Sequence, residues 1–114
     1  MIEGIGIDVV DIARFQESLD RTPGMRERIF TEAEATLKVS SLAARFAAKE
    51  ALVKALNARN IFSWQEVEIR SEESGKPYFH FSRALAERIS HSKVHLTISH
   101  DAGIASAMVV IEEA

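Results

Sequence analysis

From Ser40 to Asn60 the chain carries neither glycine nor proline, and the middle of that stretch reads Arg45-Phe46-Ala47-Ala48-Lys49-Glu50-Ala51-Leu52-Val53-Lys54. Alanine, leucine, lysine, glutamate and arginine are strong helix formers. The spacing predicts one long helix ending near Asn57 to Asn60, and a helix of that length dictates how the other elements of a small domain must pack. At 3.6 residues per turn, Leu42, Phe46, Val53 and Leu56 share an apolar stripe. Lys49 falls near the middle of the stripe, Glu50 lies at its edge, and Lys54 sits one turn beyond Glu50. Two readings stand. Glu50 and Lys54 form an ordinary i,i+4 surface pair while Lys49 stretches its ammonium to water, or the helix holds charge at the core boundary for use in chemistry.

The flanking sequence predicts where that helix docks. With 114 residues there is room for one domain and one modest core. A net charge of −3 gives no strong field for nucleic acid or membrane, and the absence of cysteine excludes disulfides, thiolate zinc sites and cysteine nucleophiles. No apolar run approaches the roughly 20 residues of a membrane span. Met1-Ile2-Glu3-Gly4 lacks a basic region and an apolar signal core, so a cytoplasmic protein is expected.

Ile2 to Val10 is rich in β-branched residues and predicts a strand. Ile5, Ile7 and Val9 fall on one face; Gly4, Gly6 and Asp8 fall on the other. Glycines so placed admit the close approach of a backbone or a ligand. Asp11 is placed to cap a helix over Ile12 to Leu19, which Thr22-Pro23-Gly24 breaks. Met25 to Phe30 has the pattern of another helical turn. Thr31 and Glu34 form a capping box for a short helix to about Val39, and Ser40 or Ser41 would cap the long helix. Further strands are expected over Trp64 to Ser71, Tyr78 to Phe81, Val94 to Ser99 and Ile104 to Ile111. A helix capped by Ser82 precedes the last two, and a turn at Asp101-Ala102-Gly103 joins them. The order β-α-α-α-β-β-α-β-β predicts a single α+β domain over residues 1–114, with a mainly antiparallel sheet packed on one long helix.

Asp8 and Glu50 stand out as oxygen ligands. With no thiolate available they suit a hard divalent cation such as Mg²⁺, which commonly takes one or two carboxylates and completes its shell with water and substrate phosphate. Lys54, one turn from Glu50, would reach such a phosphate. Spacing alone leaves open whether Asp8 and Glu50 meet. Ser74-Gly75-Lys76-Pro77 ends like a phosphate loop, but it lacks the upstream glycine and the hydroxyl that follows the lysine, so a turn is expected. Ser99-His100-Asp101 imitates a triad, yet neighbours in a strand point apart. His100 reads as a phosphate or hydroxyl contact or as a turn histidine. His80, His91 and His95 lack metal-ligand spacing.

Four stretches then fall in order: Gly4-Ile5-Gly6-Ile7-Asp8-Val9-Val10-Asp11-Ile12-Ala13-Arg14, Arg45-Phe46-Ala47-Ala48-Lys49-Glu50-Ala51 with Lys54, Ser74-Gly75-Lys76-Pro77, and Leu96-Thr97-Ile98-Ser99-His100-Asp101. Together with Phe30-Thr31-x-x-Glu34 they closely resemble the holo-acyl-carrier-protein synthases, the small members of the 4′-phosphopantetheinyl transferase superfamily. The resemblance implies that fold. It also implies transfer of the phosphopantetheine arm of coenzyme A to a serine of apo-acyl carrier protein, with Mg²⁺ as cofactor and release of adenosine 3′,5′-bisphosphate. Family metal ligands match Asp8 and Glu50, and the active lysine matches Lys54. Arg45, Lys54, Gly75, Lys76, Pro77 and His100 match coenzyme A contacts, and either Glu50 or a water would take the serine proton. Arg14 matches a basic position that meets the acidic carrier protein, and Arg21, Arg26 and Arg28 add to that charge. A homotrimer with sites between subunits is implied, and Leu52, off the apolar stripe, reads either as a subunit contact or as an isolated exposed leucine.

Overall fold

The computed structural model describes residues 1–57 and 62–114. Among these residues two antiparallel sheets form. In the first, β1 (Ile2–Asp11) pairs with β5 (Ile104–Glu113), and β5 pairs with β4 (Ser92–Asp101), giving the order β1-β5-β4. The second is the hairpin of β2 (Val67–Ser71) and β3 (Pro77–Phe81). Between β1 and β2 come α1 (Ile12–Arg21), α2 (Met25–Ile29), α3 (Glu32–Ala35), α4 (Val39–Ala55) and a 3-10 turn at Trp64–Glu66; α5 (Arg83–Arg88) joins β3 to β4. The α+β class with a long central helix forms as expected.

Local chemistry accounts for most boundaries. The Asp11 side chain accepts from the Arg14 amide and starts α1. Thr31 and Glu34 close both halves of the capping box on α3. Ser82 accepts from the Leu85 amide and starts α5. Ala102 and Gly103 both have positive φ, 51° and 78°, which makes the tight β4–β5 hairpin. Three expectations shift. The short helix ends at Ala35 rather than near Val39, and α4 begins at Val39 behind Lys38 rather than behind a serine cap. Trp64 to Glu66 is a 3-10 turn rather than strand. α4 ends at Ala55, and positions 58 to 60 of its expected end lie outside the described residues.

The packing of α4 corrects the apolar stripe. Leu52, expected outside it, is 0% exposed, and Val53, expected inside it, is 43% exposed. Leu52 is therefore a core residue and not a subunit contact. The cause lies in the alanines, which a stripe drawn through large side chains ignores. Ala43, Ala44, Ala47, Ala48, Ala51 and Ala55 are all buried. At Gly4 an added Cβ would lie 1.9 Å from the Ala55 carbonyl oxygen, and at Gly6 2.0 Å from that of Ala51. The backbone that the glycines admit is that of α4, and at such close range alanine is the side chain that fits.

Because the glycine face of β1 is the inner one, its β-branched face turns out. Ile5, Ile7 and Val9 are 64%, 58% and 60% exposed. Val110 and Met108, the register partners of Ile5 and Ile7, extend this apolar outer surface. The core lies on the opposite side of the sheet, where Val10, Ala105, Ala107, Val109 and Ile111 meet α4.

Candidate active site

Asp8 and Glu50 meet where α4 crosses β1. Asp8 shares the inner face of β1 with Gly6, and the flush contact there brings the last turns of α4 against the strand. The Lys54 ammonium donates to the Ile7 carbonyl at 2.8 Å and to Asp8 Oδ1 at 3.3 Å. Burial first, and the neighbouring charge of Asp8 second, push the Glu50 carboxyl above its ordinary range, with Lys54 opposing. A half-buried carboxylate whose ionisation is opposed by a neighbouring carboxylate has the electrostatics of a cation site. Among the described residues no cluster of three or more His, Asp or Glu surrounds them. A pair of oxygen ligands fits magnesium, which leaves its remaining positions to water and phosphate.

Just beyond Asp8 a groove of about 260 Å³ opens between α1 and α4. Phe15, Met25 and Phe46 give it apolar walls and Arg14 lines its rim. Phe46 stands one turn before Glu50, and its ring lies 5.1 Å from that of Phe15 and 5.7 Å from that of Trp64. Arg21, two turns after Arg14, shares its side of α1 and is exposed.

Arg45 is half-buried on the side of α4 that faces α3 and β2. Its Nη1 donates to the Ser41 carbonyl at 3.4 Å. Burial lowers the pKa of its guanidinium, while Glu34 and Glu68 oppose the shift. Its Nε is buried and has no hydrogen-bond partner among the described residues.

The other expected residues lie elsewhere. Gly75 adopts φ of +92° in the tight β2–β3 turn, where the Gly75 amide donates to the Glu72 carbonyl at 2.8 Å. Lys76 and Pro77 line a recess of about 580 Å³ together with Tyr78 and His95. This recess abuts β4, whereas Asp8 lies on β1 at the opposite edge of the sheet. With strands about 4.8 Å apart, β1 and β4 are separated by roughly 10 Å, and the recess lies beyond β4. His100 is exposed on the inner face of β4, in register with Ala105. One chain therefore unites Asp8, Glu50 and Lys54, with Arg14 nearby, and does not bring Gly75, Lys76 and Pro77 to them. The remaining histidines are apart. His95 Nε2 lies 2.7 Å from Glu112, His91 lies 4.0 Å from Glu3, and His80 is in register with Glu68.

Lys49 overturns the expectation of a snorkelling side chain. It is fully buried, and its ammonium donates to Glu34 Oε1 at 2.8 Å, to the Ile29 carbonyl at 2.8 Å and to the Trp64 carbonyl at 3.2 Å. Phe30 lies beneath it, with its ring centroid 5.5 Å away. Glu34 also accepts from the Thr31 amide at 3.0 Å and, through Oε2, from the Ile69 amide at 2.8 Å. The capping-box signal found Glu34, but nothing in the local sequence announced its second partner fifteen positions away. The Ile7 carbonyl, which anchors Lys54, had no signal either, because a main-chain acceptor has no residue type.

Comparison with known proteins gives the family. Residues 4–108 match the family model described as the 4′-phosphopantetheinyl transferase superfamily. A holo-[acyl-carrier-protein] synthase of Leifsonia xyli subsp. xyli is 55% identical over 117 residues, covering 98% of this chain and 98% of that protein. Among solved structures, the holo-[acyl-carrier-protein] synthase of Helicobacter pylori in complex with coenzyme A is 34% identical. It superposes with a TM-score of 0.84 over 95% of this chain and 99% of that one. The synthase of Bacillus anthracis in complex with CoA (3′,5′-ADP) is 36% identical, with a TM-score of 0.80 over 100% and 99%. The chain belongs to the 4′-phosphopantetheinyl transferase superfamily and, within it, to the holo-[acyl-carrier-protein] synthases.

Proposed function

We propose that this enzyme transfers the 4′-phosphopantetheine arm of coenzyme A to a serine of an apo-acyl carrier protein in the cytoplasm, releasing adenosine 3′,5′-bisphosphate in a magnesium-dependent reaction. The observation that carries this reading is the meeting of Asp8, Glu50 and Lys54 at the β1–α4 crossing. The synthases of known structure that hold coenzyme A or 3′,5′-ADP support it.

Asp8 and Glu50 would hold the ion, which, when bound, supplies positive charge against the pyrophosphate oxygens. Lys54 has an exposed ammonium tethered to Ile7 and Asp8, and it offsets charge on the phosphate in transfer or on the leaving bisphosphate. The phosphorus of the arm exchanges the bridging pyrophosphate oxygen for serine Oγ, and the serine proton passes to Glu50, directly or through a water. Burial and the Asp8 charge raise the proton affinity of the Glu50 carboxylate, which favours its acting as a base. Catalysis of this kind rests on positioning and electrostatics more than on covalent chemistry by the protein. Arg45, Lys76, Pro77 and His100 then serve the coenzyme A phosphates, and Arg14 and Arg21 meet the acidic carrier protein at the groove mouth.

The apolar outer face of Ile5, Ile7, Val9 and Met108 supports a homotrimer. So does the separation of the Gly75-Lys76-Pro77 turn from Asp8, since a site shared between subunits reunites them.

Intact-protein mass spectrometry of an apo-acyl carrier protein, incubated with this protein, coenzyme A and Mg²⁺, tests the reading. The expected result is a mass gain of one phosphopantetheine arm that vanishes with EDTA. No gain from folded protein that binds coenzyme A would refute it.

A further inference from the structure

The Lys49–Glu34 pair is expensive in a way the fold alone does not explain. Both side chains are buried, and an apolar pair of similar volume at such a site is commonly as stable or more so. What the pair supplies is direction. A lysine has three donors, and here each has an acceptor on a different segment: Glu34 on α3, Ile29 at the end of α2, and Trp64 in the 3-10 turn. Glu34 in turn ties α3 to β2 through the Ile69 amide. On the opposite side of α4 the directional contact to β1 is the exposed Lys54 ammonium on the Ile7 carbonyl and Asp8, at the end of the helix. Besides it, alanines rest on glycines of β1, a smooth contact that sets how close the helix comes but hardly how it is turned about its axis.

We propose that Glu34 and Lys49 are positioning residues that fix the rotation of α4, and thereby aim Glu50 and Lys54 at Asp8. The inference rests on the transferase reading above. Glu50 follows Lys49 directly in the chain, and Lys54 lies one turn beyond Glu50, so a rotation of the helix carries both. A carboxylate about 6 Å from the helix axis moves about 2 Å when the helix turns by 20°. Misplacement of about 1 Å at a reacting centre is enough to cost up to about a hundredfold in rate.

The test is the double variant Glu34→Gln with Lys49→Met, made beside wild type and measured by four readouts. These are thermal unfolding, calorimetric binding of coenzyme A with Mg²⁺ in the absence of carrier protein, KM, and kcat. Removing both charges avoids the unpaired buried carboxylate that Lys49→Met alone would leave. The expected result is a folded protein with KM for carrier protein within about twofold of wild type, a raised KM for coenzyme A and kcat reduced about 10- to 100-fold. The calorimetry should show weakened Mg²⁺-dependent binding beside unchanged metal-free binding of coenzyme A. A folded double variant with wild-type kcat and wild-type metal-dependent binding would overturn the proposal. A double variant that does not fold would also overturn it, because the pair would then be a requirement of the fold. If wild type itself transfers no arm, the transferase reading fails instead, and the parallel wild-type reaction separates the two cases.

Discussion

Gly6→Ala places the smallest possible side chain in the contact that builds the site. Its Cβ would lie 2.0 Å from the Ala51 carbonyl oxygen and 2.8 Å from the Ala55 amide nitrogen, both main-chain atoms of α4. Neither atom can turn aside as a side chain could. To reach an ordinary contact of about 3.4 Å, helix and strand must separate by somewhat more than 1 Å, against the packing of Leu42, Leu52 and Leu56 behind them. Overpacking of this kind costs about 1–3 kcal/mol, and a backbone-to-backbone clash belongs at the upper end. A chain of 114 residues has an unfolding entropy of about 0.24 kcal/mol/K, so 2–3 kcal/mol lowers Tm by about 8–12 °C. The same separation pulls Glu50 away from Asp8, so transfer should fall by at least about tenfold at temperatures where the variant remains folded. Differential scanning calorimetry and the carrier-protein mass assay measure the two effects. A Gly6→Ala protein with wild-type Tm and wild-type turnover would refute the claim that the glycine face of β1 sets the site.

Four further outcomes follow from the same geometry. Asp8→Ala and Glu50→Ala should each abolish arm transfer while leaving the circular dichroism spectrum intact, and near-wild-type turnover in either would remove that residue from the metal pair. Arg14→Glu should raise KM for carrier protein about tenfold and leave KM for coenzyme A unchanged, as steady-state kinetics with each substrate varied will show. Ile7→Glu sets a charge in the apolar outer face; light scattering should report monomers, and transfer should be lost with the assembly. Glu68 accepts from the Thr31 hydroxyl at 2.6 Å and pairs with Arg70, and these contacts hold its carboxyl below the ordinary glutamate range. Its folded pKa being depressed, it contributes stability above the ordinary glutamate pKa and loses it as pH falls through the lowered value. The Tm advantage of wild type over Glu68→Gln should therefore be full at neutral pH and vanish in acid. A gap that does not change with pH would contradict the assignment.

The sequence was most readable where chemistry is local. Asp11, Thr31 and Ser82 announced their helices because a capping side chain acts within three residues of its own position. The hairpin at Ala102-Gly103 was readable for the same reason. Asp8, Glu50 and Lys54 were legible as candidates because their residue types restrict the chemistry. Their meeting depended on Gly4 and Gly6, whose purpose shows only when α4 lies against them. The helix stripe misled because large side chains dominate periodicity, whereas the close crossing is made by alanine. Lys49 was misplaced because its partners, Ile29, Glu34 and Trp64, lie between 15 and 20 residues away, and two of them act through carbonyl oxygens.

The pairing of β1 with β5 also governs how the molecule comes into being. Ile2 stands in register with Glu112 and Asp11 with Ile104, so among the described residues β1 finds its sheet partner in β5, about 100 residues later. At about 5–20 residues per second, roughly 5–20 s of synthesis separate the two strands. Throughout that interval Ile5, Ile7 and Val9 have neither a neighbouring strand nor a covered face, and closing the sheet means closing one of the longest loops the chain can make. β1 is thus the most vulnerable strand of the nascent chain, and the order of manufacture, as much as the final contacts, sets how much of it reaches the folded state.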